Sequence, residues 1–141
     1  MNRRDFCRLT ALVSLALPFG ASMAVASAET VDYTPGVIED ALAAGKTVFV
    51  EYGASWCSTC ARQARVIAQL READPAYDAA MLFVRVDWDA FRSHPVAASR
   101  NIPRRSTLLV LRGDAELGRI VAGTSVDQIK ALMDKGLPAD A

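Results

Sequence analysis

Residues 48–60 decide the fold of this chain, and they read VFVEYGASWCSTC. The run over residues 47–52 is β-branched and aromatic, and it is apolar on both faces apart from the carboxylate of Glu51, which is typical of a central buried strand. A helix with one apolar side is predicted to follow over residues 57–73. This order places the two cysteines, Cys57 and Cys60, in the first turn of a helix.

Two cysteines at the start of a helix have a chemistry that neither has alone. The partial positive charge and the free N–H groups of the helix end stabilise a thiolate. We expect Cys57 to be exposed at the strand-to-helix turn, and Cys60 to be shielded one turn further on. The pattern predicts thiol–disulfide exchange, in which Cys57 attacks a partner's disulfide and Cys60 releases the partner by closing the Cys57–Cys60 bridge.

The same spacing also occurs in half of a zinc site and in inert structural disulfides. A tetrahedral zinc site needs four ligands, whereas residues 29–141 contain two thiols and a single histidine, His94. A metal would therefore require a dimer or carboxylate ligands. A metal- or partner-binding module that uses Cys57 and Cys60 as thiolate ligands remains the alternative to an enzyme.

The rest of the chain predicts strands and helices in alternation. We expect a mixed four-stranded sheet with a parallel core, a C-terminal antiparallel hairpin and about four flanking helices, which is an α/β fold. The helices are predicted at 35–44, 57–73, 95–100 and 125–135, and the strands at 47–52, 81–86, 107–111 and 118–122.

Composition limits the class of protein. The chain has 141 residues, 52% of them hydrophobic, which is enough for one compact domain. Its 16 basic and 16 acidic residues balance, so it has no basic field that would collect nucleic acid. Three cysteines are too few for a disulfide-stapled mini-protein.

The first 28 residues have the order of an export signal: a positive start, an apolar run over residues 9–26, and small residues at the end. We expect cleavage after Ala28, one domain over residues 29–141, and no stable membrane insertion afterwards. Arg3 and Arg4 followed by Phe6 resemble the twin-arginine signal, which implies a periplasmic protein exported in folded form. Secretion in unfolded form is the alternative.

The stretch 48–60, together with the order of elements, resembles the thioredoxin superfamily, and its periplasmic members in particular. The resemblance implies a disulfide oxidoreductase that acts on a protein or small-molecule disulfide and needs no cofactor beyond the Cys57–Cys60 disulfide. We expect a reductase, and an oxidase is the alternative, because Ser58 and Thr59 between the cysteines do not fix the direction. The resemblance also implies that Trp56 shapes the surface around the nucleophile. Glu51 stands where the family carries a buried aspartate, so it would move the proton of Cys60. A membrane thiol relay is the expected electron donor.

One position departs from the family pattern. The family places a cis-proline just before a strand that begins like Thr107, and this chain has Ser106 there, with Pro103 three residues too early. Either Pro103 approaches the site or Ser106 occupies it, and a trans Arg105–Ser106 bond is expected because a cis bond without proline costs about 3–4 kcal/mol. By resemblance, the loop of Arg105, Ser106 and Thr107 contacts substrate.

The charges of this loop carry a prediction of their own. Arg104 and Arg105 are adjacent in the sequence and precede the residue expected beside the cysteines. They would attract an acidic or anionic partner and favour the thiolate of Cys57. A solvated loop without a role in binding is the alternative.

Overall fold

The computed structural model describes residues 29–140, so the predicted export signal, residues 1–28, lies outside the described residues. Five strands and six helices occur in this part of the chain. The strands are β1 (Val31–Asp32), β2 (Thr47–Gly53), β3 (Met81–Asp87), β4 (Thr107–Arg112) and β5 (Ala115–Val121). The helices are α1 (Val37–Ala43), α2 (Ser58–Ala73), α3 (Ala76–Ala80), α4 (Trp88–Phe91), α5 (Pro95–Ala98) and α6 (Val126–Asp134).

The strands form one mixed sheet in the order β1-β3-β2-β4-β5, which confirms the predicted α/β fold. Strands β1, β3 and β2 are parallel, while β4 runs antiparallel to β2, and β5 to β4. The prediction of four strands omitted β1, a two-residue edge strand in which Val31 pairs with Val84. Two residues carry no periodicity, so only the pairing identifies this strand.

The helices bear out the predicted order with shifted ends. Helix α1 begins at Val37 rather than at Pro35, because Gly36 has a φ of 97°, a left-handed conformation that cannot continue a helix. Two short helices, α3 and α4, were not predicted. No helix among residues 29–140 combines the length and the apolarity needed to cross a lipid bilayer.

The sheet separates two hydrophobic cores, and β2 contributes to both because its side chains alternate between the faces. Val48, Val50 and Tyr52 pack on one side, where Tyr52 Oη also donates to the carbonyl of Val96 at 2.6 Å. Phe49 packs on the other side, against α2, α3 and α6. Alternation puts Glu51 on the Phe49 side, the side of α2, and the cysteines stand at the start of that helix.

Candidate active site

The two cysteines lie where β2 ends and α2 begins. The turn closes with a hydrogen bond from the Cys57 N–H to the carbonyl of Ala54 at 3.1 Å. Cys57 is the N-cap of α2, and its Sγ accepts the Cys60 N–H at 3.1 Å. The pair is joined as a disulfide, with the Cα atoms 5.3 Å apart. Its position at the helix N-terminus confirms the prediction and gives Cys57 the backbone donor that a thiolate requires.

The exposure of the two cysteines is the reverse of the prediction. Cys57 is buried, with 6% of its surface accessible, whereas Cys60 is partly exposed. The expectation that Cys57 is exposed and Cys60 shielded was therefore wrong. The reason is tertiary: Ser106 contacts both sulfurs, but Cys60 also borders a cavity of about 550 Å³ beside the sheet, whereas Cys57 does not line this cavity.

Of the two alternatives for the position beside the cysteines, Ser106 occupies it, and Pro103 is exposed on the preceding loop. Its hydroxyl Oγ lies 3.2 Å from Cys57 Sγ and 3.1 Å from Cys60 Sγ. The Arg105–Ser106 bond is trans, as predicted, since residues 29–140 contain no cis peptide. Ser106 instead has a φ of 62°, which lies in the left-handed region.

Backbone hydrogen bonds hold Ser106 in this conformation. Its N–H donates to the carbonyl of Tyr52 at 2.7 Å, and its own carbonyl accepts the N–H of Ala122 at 2.8 Å. The amide of Gln63 donates to the same carbonyl at 3.0 Å and to the carbonyl of Gly123 at 2.8 Å. The loop therefore connects β2, α2 and the end of β5 directly at the sulfur atoms.

Sequence reasoning missed Gln63, although a signal was present. The residue stands three positions after Cys60, which puts it on the same side of α2, and only 2% of its surface is accessible. A buried polar side chain needs hydrogen-bond partners, and the two carbonyls provide them. A glutamine on the apolar side of a predicted helix therefore indicates an unseen backbone contact.

Of the other predicted binding residues, Trp56 and Arg105 meet at the surface. Trp56 is 59% exposed, and the guanidinium carbon of Arg105 stands 4.4 Å from the centre of its ring. The indole N–H donates to Asp89 Oδ2 at 2.8 Å, which orients the ring. Thr107 is fully buried and donates to the carbonyl of Arg104, so its side chain faces the interior.

Glu51 is a buried carboxylate, as the pattern of its strand predicted. Its surface is 7% accessible, and the nearest cation, Arg85, is on the neighbouring strand with Nη2 at 3.8 Å from Oε2. Burial raises the pKa of Glu51, and the charges of Arg85 and Arg71 offset part of the rise. Glu51 and Cys60 line the same cavity, together with Asp87 and Asp89.

Residues 29–140 contain no group of three or more His, Cys, Asp or Glu side chains placed to hold a metal ion. His94, the one histidine, accepts the N–H of Val96 at the start of α5 and packs edge-on against the rings of Tyr33 and Phe91. His94 therefore serves as the N-cap of α5.

A mixed sheet with a cysteine pair at the N-terminus of the helix after its central strand defines a class of protein, the thiol–disulfide oxidoreductases that work through their own disulfide. Comparisons with known proteins agree with this class. Residues 30–111 match a family described as thioredoxin-like, and the chain belongs to that family.

Individual relatives support the assignment. A thioredoxin H-type from Oryza sativa subsp. indica is 31% identical over 98 residues, which cover 70% of this chain and 75% of the rice protein. The structure resembles Trxlp from Edwardsiella tarda, with a TM-score of 0.60 and 29% identity over 73% of this chain and 98% of that one. It also resembles the reduced thioredoxin pre-protein of Schistosoma mansoni, with a TM-score of 0.62 and 25% identity over 77% and 99% of the chains.

Proposed function

We propose that this thiol–disulfide oxidoreductase is a periplasmic reductase of disulfides, in which Cys57 attacks and Cys60 resolves. The hydrogen bond from the Cys60 N–H to Cys57 Sγ carries the assignment of the nucleophile. It supplies a donor to the sulfur of Cys57, so that thiol is the one that the helix end favours as a thiolate. Likeness to proteins named thioredoxin supports the reducing direction.

The first step joins the enzyme to its substrate. The Cys57 thiolate attacks one sulfur of the substrate disulfide, the substrate S–S bond breaks, and its electron pair leaves with the other sulfur, which takes up a proton. Because Cys57 is 6% accessible, the substrate has to enter beside the covering loop. The pair formed by Trp56 and Arg105 offers an aromatic face and a positive charge at the surface, which suits a polypeptide with acidic residues near its disulfide.

The second step releases the substrate. Cys60 gives its proton to the Glu51 carboxylate through the shared cavity and then attacks Cys57 Sγ. The enzyme disulfide forms, the mixed disulfide breaks, and the second substrate thiol leaves with a proton. In sum, the enzyme dithiol is oxidised by two electrons and the substrate disulfide is reduced by two. A dithiol of a membrane relay, in the reverse exchange, restores the enzyme.

The test uses two single substitutions and a peptide with one disulfide. Cys60→Ser protein should accumulate a mixed disulfide through Cys57, and Cys57→Ser protein should form none. The reverse pattern would assign the nucleophile to Cys60, which is the more exposed thiol. Stoichiometric metal that survives dialysis and blocks titration of the thiols would instead support the binding module.

Direction and location need separate measurements. The potential of the pair, equilibrated against glutathione, should lie near thioredoxin's roughly −270 mV, whereas a value near roughly −120 mV would make the protein an oxidant. Periplasmic location rests on the predicted leader, residues 1–28. Replacing Arg3 and Arg4 by lysines should abolish export by the twin-arginine route, and normal export of that variant would contradict this route.

A further inference from the structure

The hydroxyl of Ser106 contacts both reactive sulfurs at once. Its Oγ lies at nearly equal distances, 3.2 Å from Cys57 Sγ and 3.1 Å from Cys60 Sγ, and the side chain is fully buried. When either sulfur is a thiolate, only the hydroxyl has a proton to share, so Ser106 must be the donor. Hydrogen bonds to a charged acceptor are shorter and roughly twice as strong as neutral ones.

The backbone around Ser106 excludes a proline, although its left-handed φ is strained for any residue but glycine. A proline ring holds φ near −65°, whereas Ser106 has a φ of 62°. A proline would also remove the N–H that donates to the carbonyl of Tyr52 at 2.7 Å. The loop is thus a different structure from one built around a proline, and it directs a hydroxyl at the sulfur pair.

We propose that Ser106 is a catalytic residue whose single proton serves the two thiolates in turn. In the reduced enzyme the hydroxyl donates to Cys57 Sγ, next to the N–H of Cys60, and stabilises the nucleophile. When an external thiolate attacks Cys57 and the Cys57–Cys60 bond breaks, the electron pair goes to Cys60 Sγ, and the hydroxyl donates to that leaving sulfur. This role of Ser106 rests on the proposed exchange reaction, and the same hydroxyl would act both when the enzyme reduces a substrate and when the enzyme disulfide is itself reduced.

The consequence is a more oxidising disulfide. Stabilising the thiolate favours the reduced form, so removing the hydroxyl should shift the equilibrium with glutathione toward the protein disulfide. One hydrogen bond to a charged group is worth about tenfold in an equilibrium constant, which for two electrons corresponds to a potential about 30 mV more negative. In a variant without the hydroxyl, the ultraviolet absorbance of the thiolate should appear at a higher pH than in the unmodified protein.

Two variants separate the hydroxyl from the backbone. Ser106→Ala removes the hydroxyl and keeps the Cβ, while Ser106→Gly removes the hydroxyl and relieves the left-handed φ. Both should shift the thiolate transition and the potential equally, although they differ in stability. Ala122→Gly is the matched control, because Ala122 also has a positive φ, 61°, its N–H donates to the Ser106 carbonyl, and its side chain has no hydroxyl that could donate to a sulfur. It should change stability and leave the thiolate transition in place.

The outcomes decide both proposals separately. The role of the hydroxyl would be overturned if both Ser106 variants had the thiolate transition and the potential of the unmodified protein. It would also be overturned if the two variants shifted unequally, in step with their differences in stability. If the unmodified dithiol fails to reduce a peptide disulfide while the Ser106 variants still shift the transition, the proposed reductase fails and the hydrogen bond to the thiolate stands.

Discussion

Gln63 should hold the active-site loop, and Gln63→Leu tests this with a side chain of similar volume. The substitution removes the hydrogen bonds to the carbonyls of Ser106 and Gly123. The Ser106 carbonyl keeps the N–H of Ala122, and Gly123 is partly exposed to water, so neither oxygen is left without a partner. The cost is then the net value of two hydrogen bonds, about 2 kcal/mol, or about 8 °C in Tm for a domain of this size.

The measurement is thermal and denaturant unfolding of the oxidised protein. The matched control is Gln69→Leu, a substitution of the same kind at an exposed position of the same helix, for which a change within about 0.5 kcal/mol is expected. A Gln63→Leu protein as stable as the Gln69→Leu protein would refute the reasoning and leave the loop to its backbone hydrogen bonds.

Three further predictions concern charged groups. Because burial raises the pKa of Glu51, the folded protein prefers the protonated carboxyl, and this contribution to stability, fully present below the ordinary pKa of 4.5, is lost as pH rises through the folded pKa. Glu51→Gln should therefore become more stable relative to the native protein as pH rises. A difference in Tm that does not change with pH would contradict this. Asp89→Ala removes the acceptor of the Trp56 indole, and it should raise KM for a protein disulfide more than it lowers kcat; an effect confined to kcat would remove this contact from substrate binding. Asp78→Ala breaks a partly buried ion pair with Arg71 and should cost about 2 kcal/mol in denaturant unfolding, between the values for exposed and buried pairs, and a loss below about 1 kcal/mol would show that the pair is weak.

Local patterns were sufficient for the framework. The apolar run of β2, the cysteine pair and the amphipathic α2 could each be predicted from a short stretch of sequence. Burial on both faces of a strand and the helical spacing of apolar residues are both visible in neighbouring residues. The buried state of Glu51 followed from the same run. The short strand β1 and the helices α3 and α4 escaped because a few residues show no period.

The sequence by itself thus determined the fold family, the place of the cysteine pair and the burial of Glu51 in β2. The tertiary structure alone decided which cysteine is covered and what covers it. Ser106 is 46 residues from Cys60, and its positive φ and its contacts with both sulfurs depend on hydrogen bonds from three separate elements. Pattern reasoning reaches along one element, whereas these contacts form only when the sheet brings distant segments together.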